Sequence, residues 1–164
     1  MTNSPTFDWH MTNLRNYIGL KPGNVPPLQI PGLTLEPFGQ GSGMVGLPGD
    51  FTPPSRFARA AVFTVTATPS DTADAGIQQV FHILNNFDIP VGVAREKSEA
   101  VVHCDYTLLT LACDPESLRY YYKSYDDQTI RMVDLKKFDP NAKSIKMLST
   151  KSNQPIVNMT DQFK

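Results

Sequence analysis

Between residues 21 and 50 the chain concentrates glycine and proline (KPGNVPPLQIPG, then FGQGSGMVGLPGD), and no long regular element can run through such a stretch. Proline lacks a backbone N–H and obstructs helix interiors and central strands, while glycine loses the most backbone freedom on ordering. Leu28, Ile30, Leu33, Leu35 and Phe38 nevertheless persist through it, so the segment reads as an ordered, extended loop rather than a linker. It divides the chain. Before it, residues 6–18 read as a short helix, with Thr6 as cap and Phe7, Met11, Leu14 and Ile18 at helical spacing. After it, residues 53–67 read as a second helix. Ser70 or Asp71 then caps a third, whose apolar stripe is Ala73, Ile77, Val80, Phe81 and Leu84.

The junction into the second helix, GLPGDFTPPSRF at 46–57, is unusually particular. Thr52 stands where a cap belongs, and Pro53 or Pro54 suits the first helical position, where no N–H is required. Gly46, Pro48 and Gly49 bend and stiffen the approach. Arg56 then falls in the first turn, where a cation opposes the helix dipole. A local conflict of this kind is where function is expected to override propensity.

From residue 102 the pattern changes. VVHCDYTLLTLAC, SLRYYYKSYDD and TIRMVDLKKF are rich in β-branched and aromatic residues, with turn signals at Asp114-Pro115 and Asp126-Asp127. They read as a meander of three antiparallel strands, with 144–149 as a possible fourth. The first strand is apolar on both faces, Tyr106 and Leu108 against Leu109 and Leu111, and should be covered on both. Helices followed by an antiparallel sheet imply an α+β layered fold. At 164 residues the chain is long enough for one domain with a real core, and we expect residues 1–164 to form a single domain.

The formal net charge of −1 favours neither nucleic acid nor an anionic membrane as partner. No segment approaches the roughly 20 apolar residues of a membrane span. The opening MTNSPTFDWH has no basic region and no apolar core, so it does not read as a signal peptide. Either the chain is cytoplasmic or its beginning lies elsewhere, and the compartment stays open.

Other motifs favour plain structural readings. Gly41-Ser42-Gly43-Met44-Val45-Gly46 matches G-x-G-x-x-G, but a Pro-rich loop precedes it and Leu47-Pro48-Gly49 follows before any helix. Close backbone packing is the expectation there, not a nucleotide cofactor. His10, His82 and His103 are scattered and have no local partner of hydrolase type. Cys104 and Cys113 read as two buried thiols in one strand, and with His103 they lack the further ligands a metal needs. Tyr120, Tyr121, Tyr122 and Tyr125 have no basic surround and read as core and edge packing, and the lysines from 136 to 151 as a solvated face. Neither cofactor nor metal is expected.

Three segments together resemble one family. They are TNSPTFDWHMTNLRNYIGL, PGLTLEPFGQGSGMVGLPGDFTPPSRFARAAVF and YTLLTLACDPESLRYYYKSYDDQTIRMVDLKKFD, ordered from residue 1 to about 140. They are similar to choloylglycine hydrolases, which include conjugated bile acid hydrolases and penicillin V acylases. GLPGDFTPPSRF is the most specific stretch. The match falls on the C-terminal half of the family's domain. The resemblance implies an N-terminal nucleophile hydrolase fold, with two stacked antiparallel sheets between helical layers. It also implies cleavage of linear amides other than peptide bonds: a processed N-terminal cysteine attacks the carbonyl, and its own α-amine serves as base. By matching motif, Asn3 in TNSP would donate to the oxyanion hole, and Arg56 in PSRF would sit beside the nucleophile and favour its thiolate.

One departure from the family is large. Its nucleophilic cysteine should open the chain, and here Met1 is followed by Thr2; Cys104 and Cys113 lack a free α-amine. The expectation is therefore a C-terminal piece of a hydrolase, inactive alone. It would act on a small-molecule amide and either assemble as a homotetramer, as the resemblance implies, or pair with the missing N-terminal half. A non-catalytic interaction or binding module that keeps part of the fold is the alternative.

Overall fold

The computed structural model describes residues 4–98 and 101–163, and the chain divides into two compact units, Met1–Thr72 and Ala73–Lys164. In the first unit, α1 (Phe7–Asn13) continues into a 3-10 turn at Leu14–Tyr17, so the helix expected over 6–18 is shorter and tightens at its end. Thr6 occupies the cap position but makes no side-chain cap. The Gly/Pro loop holds a short antiparallel hairpin, β1 (Leu28–Ile30) with β2 (Leu33–Leu35), turned by Pro31-Gly32 with Gly32 at φ +79°. The loop's two arms are tied together. Lys21 N–H donates to the Gly43 carbonyl at 3.0 Å, Val25 N–H to Ser42 Oγ at 3.0 Å, and Gly41 N–H to Asn24 Oδ1 at 2.9 Å. A Cβ on Gly43 would run into the Lys21 and Gly23 carbonyl oxygens, so this glycine serves close packing as expected.

Helix α2 (Pro53–Thr66) begins with Pro at its first two positions. Its buried face is Ser55, Ala58 and Arg59, at i, i+3 and i+4. Helix α1 packs on it through the fully buried His10 ring, which stacks on Phe57 at 4.4 Å with a 12° interplanar angle, while Phe7 meets Phe57 edge-on at 6.1 Å.

In the second unit, α3 (Ala73–Leu84) lies against a three-stranded antiparallel sheet of order β5-β6-β7 (Leu109–Asp114, Arg119–Ser124, Arg131–Asp134). Phe81 of α3 is 3% exposed, and burying such a ring is worth roughly 1.5–3 kcal/mol. The Tyr121 and Tyr122 side chains are also buried. A separate hairpin pairs β3 (Ala94–Ser98) with β4 (Val101–Asp105).

Several expectations for this unit are corrected. VVHCDYTLLTLAC is two strands, β4 and β5, because Thr107 leaves the ladder to bond Ile89 twice: its N–H donates to the Ile89 carbonyl at 3.2 Å, and its Oγ1 accepts from Ile89 N–H at 2.9 Å. Both cysteines are exposed thiols rather than buried ones. Leu109 and Leu111 are 39% and 45% exposed, so β5 is covered on one side only, although their partners Ser124 and Tyr122 on β6 are buried. Residues 144–149 form no strand. The tail is instead pinned at Ser152 and Gln154 to the β6–β7 turn, with Asp127 Oδ2 accepting from Ser152 Oγ at 2.5 Å and Gln128 N–H donating to Gln154 Oε1 at 2.8 Å.

Candidate active site

The elbow at 46–57 is where the structure departs most usefully from a simple helix start. With prolines at the first two helical positions, few N–H groups remain for Thr52 to cap, and its side chain makes no cap. Thr52 Oγ1 instead donates to Asp50 Oδ1 at 2.5 Å, and Thr52 N–H donates to the same oxygen at 2.9 Å. Ser55 Oγ donates to the other oxygen, Asp50 Oδ2, at 2.6 Å. Asp50 caps no N–H of α2, but it ties the cap residue Thr52 to Ser55 and carries the sign that the helix N-terminus prefers. These three bonds, Ser55's first, hold the Asp50 carboxyl down at about 2.

Arg59, one turn beyond Arg56, is 5% exposed and folds back under the elbow. Its Nη1 donates to the Pro48 carbonyl at 2.8 Å and to the Asp50 carbonyl at 2.7 Å. Burial pushes the guanidinium below its usual range, the Asp50 charge opposes this and Arg56 adds to it; Arg59 remains a cation.

Arg56 sits half-buried on the same turn. Its backbone N–H closes onto the Thr52 carbonyl at 3.0 Å, but its Nε is buried with no hydrogen-bond partner among the described residues. A buried guanidinium donor without an acceptor is costly, and such a group requires explanation. Asn3 lies outside the described residues. The segment after it, Phe7–His10, is brought against Phe57, the neighbour of Arg56.

Sequence reasoning did not single out Asp50, Ser55 or Arg59. A faint signal was there: Asp50 is two residues before the cap position, as in an Asx turn, and Arg59 interrupts the small, apolar run Ala58 to Val62. Among the described residues no group of three or more His, Cys, Asp or Glu side chains could hold a metal ion. Nor is any helix among them long and apolar enough to cross a membrane.

The family model for linear amide C–N hydrolases of the choloylglycine hydrolase family matches residues 1–148. The chain belongs to the choloylglycine hydrolase family. A bile salt hydrolase/transferase of Clostridium perfringens is 40% identical over 146 residues, covering 89% of this chain and 44% of that protein. A crystal structure of a conjugated bile acid hydrolase variant from the same organism superposes with a TM-score of 0.78 at 36% identity, covering 96% of this chain and 47% of that one. The penicillin V acylase of Agrobacterium tumefaciens shares the fold at a TM-score of 0.60 and 22% identity, covering 85% of this chain and 36% of that one. The α+β arrangement is therefore that of the N-terminal nucleophile hydrolases, and the choloylglycine hydrolase chain described here spans less than half the length of the curated relatives it matches.

Proposed function

We propose that this chain supplies the arginine side of a linear amide hydrolase site, working with a cysteine nucleophile carried on polypeptide that it does not span. The observation that carries this reading is the buried Arg56 Nε, which lacks an acceptor among the described residues. An orphan guanidinium donor held in a rigid turn suits a thiolate or the oxygen of a reacting carbonyl. A cation beside a cysteine lowers its pKa and raises the thiolate fraction near neutral pH. The thiolate would attack the amide carbonyl, and Asn3 would donate to the oxygen as it becomes an oxyanion. Conjugated bile acids and penicillin V are the substrate classes this reading favours, on the strength of what the relatives are named for. Arg56's place on the helix dipole is offset by Asp50, which sets a carboxylate at the same helix end.

The first test uses the chain by itself. It should not hydrolyse glycocholate or penicillin V, and hydrolysis that disappears on mutating Cys104 or Cys113 would overturn the reading. The second restores the rest of the hydrolase by co-expression. Arg56→Gln should then leave folding intact, shift thiol inactivation to higher pH and slow turnover. Asn3→Ala should lower turnover by about 10²- to 10³-fold with little change in thiol titration. Identical thiol titration curves for Arg56→Gln and the parent protein would remove the role given to Arg56.

A further inference from the structure

Arg59 is buried on a helix face otherwise made of Ser55 and Ala58. Placing a guanidinium there carries a desolvation cost, and an apolar side chain of similar volume would fill the space as well. Its acceptors explain its presence better than packing does. The two carbonyls that it bridges belong to Pro48 and Asp50, the residues on either side of Gly49, where the backbone has glycine's freedom. Asp50 in turn grips Thr52 and Ser55, the residues on either side of the prolines that open α2. Arg59, the Pro48 and Asp50 carbonyls, the Asp50 carboxylate and Ser55 therefore close a ring around the turn that carries Arg56. Within the ring the Asp50 charge favours the Arg59 cation, and the Nε of Arg56 has no hydrogen-bond partner among the described residues.

We propose that Arg59 is a positioning residue: by clamping the Pro48–Gly49 and Asp50–Phe51 peptides it fixes the elbow, and so fixes the direction in which Arg56 presents its guanidinium. The inference rests on the reading of Arg56 as the cation beside the nucleophile, but the clamp can be examined without it. Arg59 does not touch the reacting atoms. It acts through Arg56.

The test uses the reconstituted hydrolase in a Cys104→Ser, Cys113→Ser background, so that alkylation reports on the nucleophile alone. Arg59→Met keeps volume and removes the bridge. It should leave the melting temperature near that of the parent. Amide exchange at Thr52 and Arg56 should quicken several-fold, the pH profile of alkylation should move upward, and kcat should fall roughly 10- to 100-fold, as displacement of a reacting group allows. Arg59→Lys, whose ammonium can still reach carbonyl oxygens, should recover part of each effect. Combined with Arg56→Gln, Arg59→Met should add no further shift, because both changes act through one guanidinium. Additive shifts would show that Arg59 acts by its own charge and overturn the positioning role. So would unchanged exchange in Arg59→Met. If exchange quickens but Arg56→Gln leaves the alkylation profile where it was, the clamp stands as structure, and both the catalytic reading of Arg56 and the positioning role built on it fall.

Discussion

Around the start of α2 one carboxylate and two guanidiniums lie between Asp50 and Arg59, and each has a different electrostatic setting. Asp50 supplies the negative charge that a helix N-terminus favours, Arg59 donates to backbone carbonyls, and Arg56 has a buried Nε with no hydrogen-bond partner among the described residues. The carboxyl of Asp50 is depressed from 3.8 to about 2, chiefly by the Ser55 hydroxyl. A depressed folded pKa means that the stabilisation is complete above the unfolded value and disappears as pH falls through the folded one. The elbow should therefore hold unchanged down to about pH 4 and loosen as pH drops towards 2. A carbon-13 NMR titration of the Asp50 carboxyl should find its midpoint near 2, and Ser55→Ala should raise it; a midpoint that Ser55→Ala leaves in place would mean that the hydroxyl is not the cause.

Individual elements are tied together by polar groups as much as by apolar ones. Beneath α3 the Lys123 side chain is 3% exposed, donates to Asn85 Oδ1 and to Gln128 Oε1 at 2.5 Å, and pairs with Asp88 at 3.6 Å. Thr110 Oγ1 adds a bond of 3.3 Å to Asp88, so helix end and sheet share one network. A buried cation that loses its partner is worse than no cation at all. Asp88→Asn should accordingly destabilise the chain by about 1–3 kcal/mol, since Asp88 is part-exposed and water takes up some of the loss. Lys123→Met, which removes the charge and keeps the stem, should cost less. Urea unfolding of the two variants ranks them, and the reverse order would mean that the lysine contributes through its pair rather than burdening the core.

For the molecule as a whole, the missing feature is cover. The sheet of the second unit is shielded by α3 on one face; on the other, Leu109, Leu111 and Cys113 of β5 are exposed beside the buried Tyr122 and Ser124 of β6. Leu108, beside that strand, is 63% exposed. A chain spanning under half the length of its relatives has fewer layers to place over such a face. Contiguous exposed apolar surface drives association. Purified alone, the chain should bind a hydrophobic dye and self-associate as concentration rises, and Leu109→Lys with Leu111→Lys should reduce both. A monodisperse, dye-free monomer at high concentration would contradict this.

Local rules carried much of the sequence reading. Proline at the first two positions of α2, the apolar spacing of α3, the close packing at Gly43 and the turn at Asp114-Pro115 all depend on a residue's own backbone preferences or on neighbours within one turn, which a sequence displays directly. The elbow's specific motif was also visible, and with it the family and Arg56. Contacts between distant backbone groups were not. Thr107 breaks the long apolar strand because Ile89 offers it a partner 18 residues back, and Arg59 becomes a clamp because the carbonyls of Pro48 and Asp50 face it once α2 has formed. Thr52 turned to Asp50 for a related reason: consecutive prolines left the threonine little to cap, and the nearby carboxylate offered its hydroxyl a strong acceptor. Which polar groups are left needing partners is decided only after the chain has folded, so tertiary structure alone assigned these bonds.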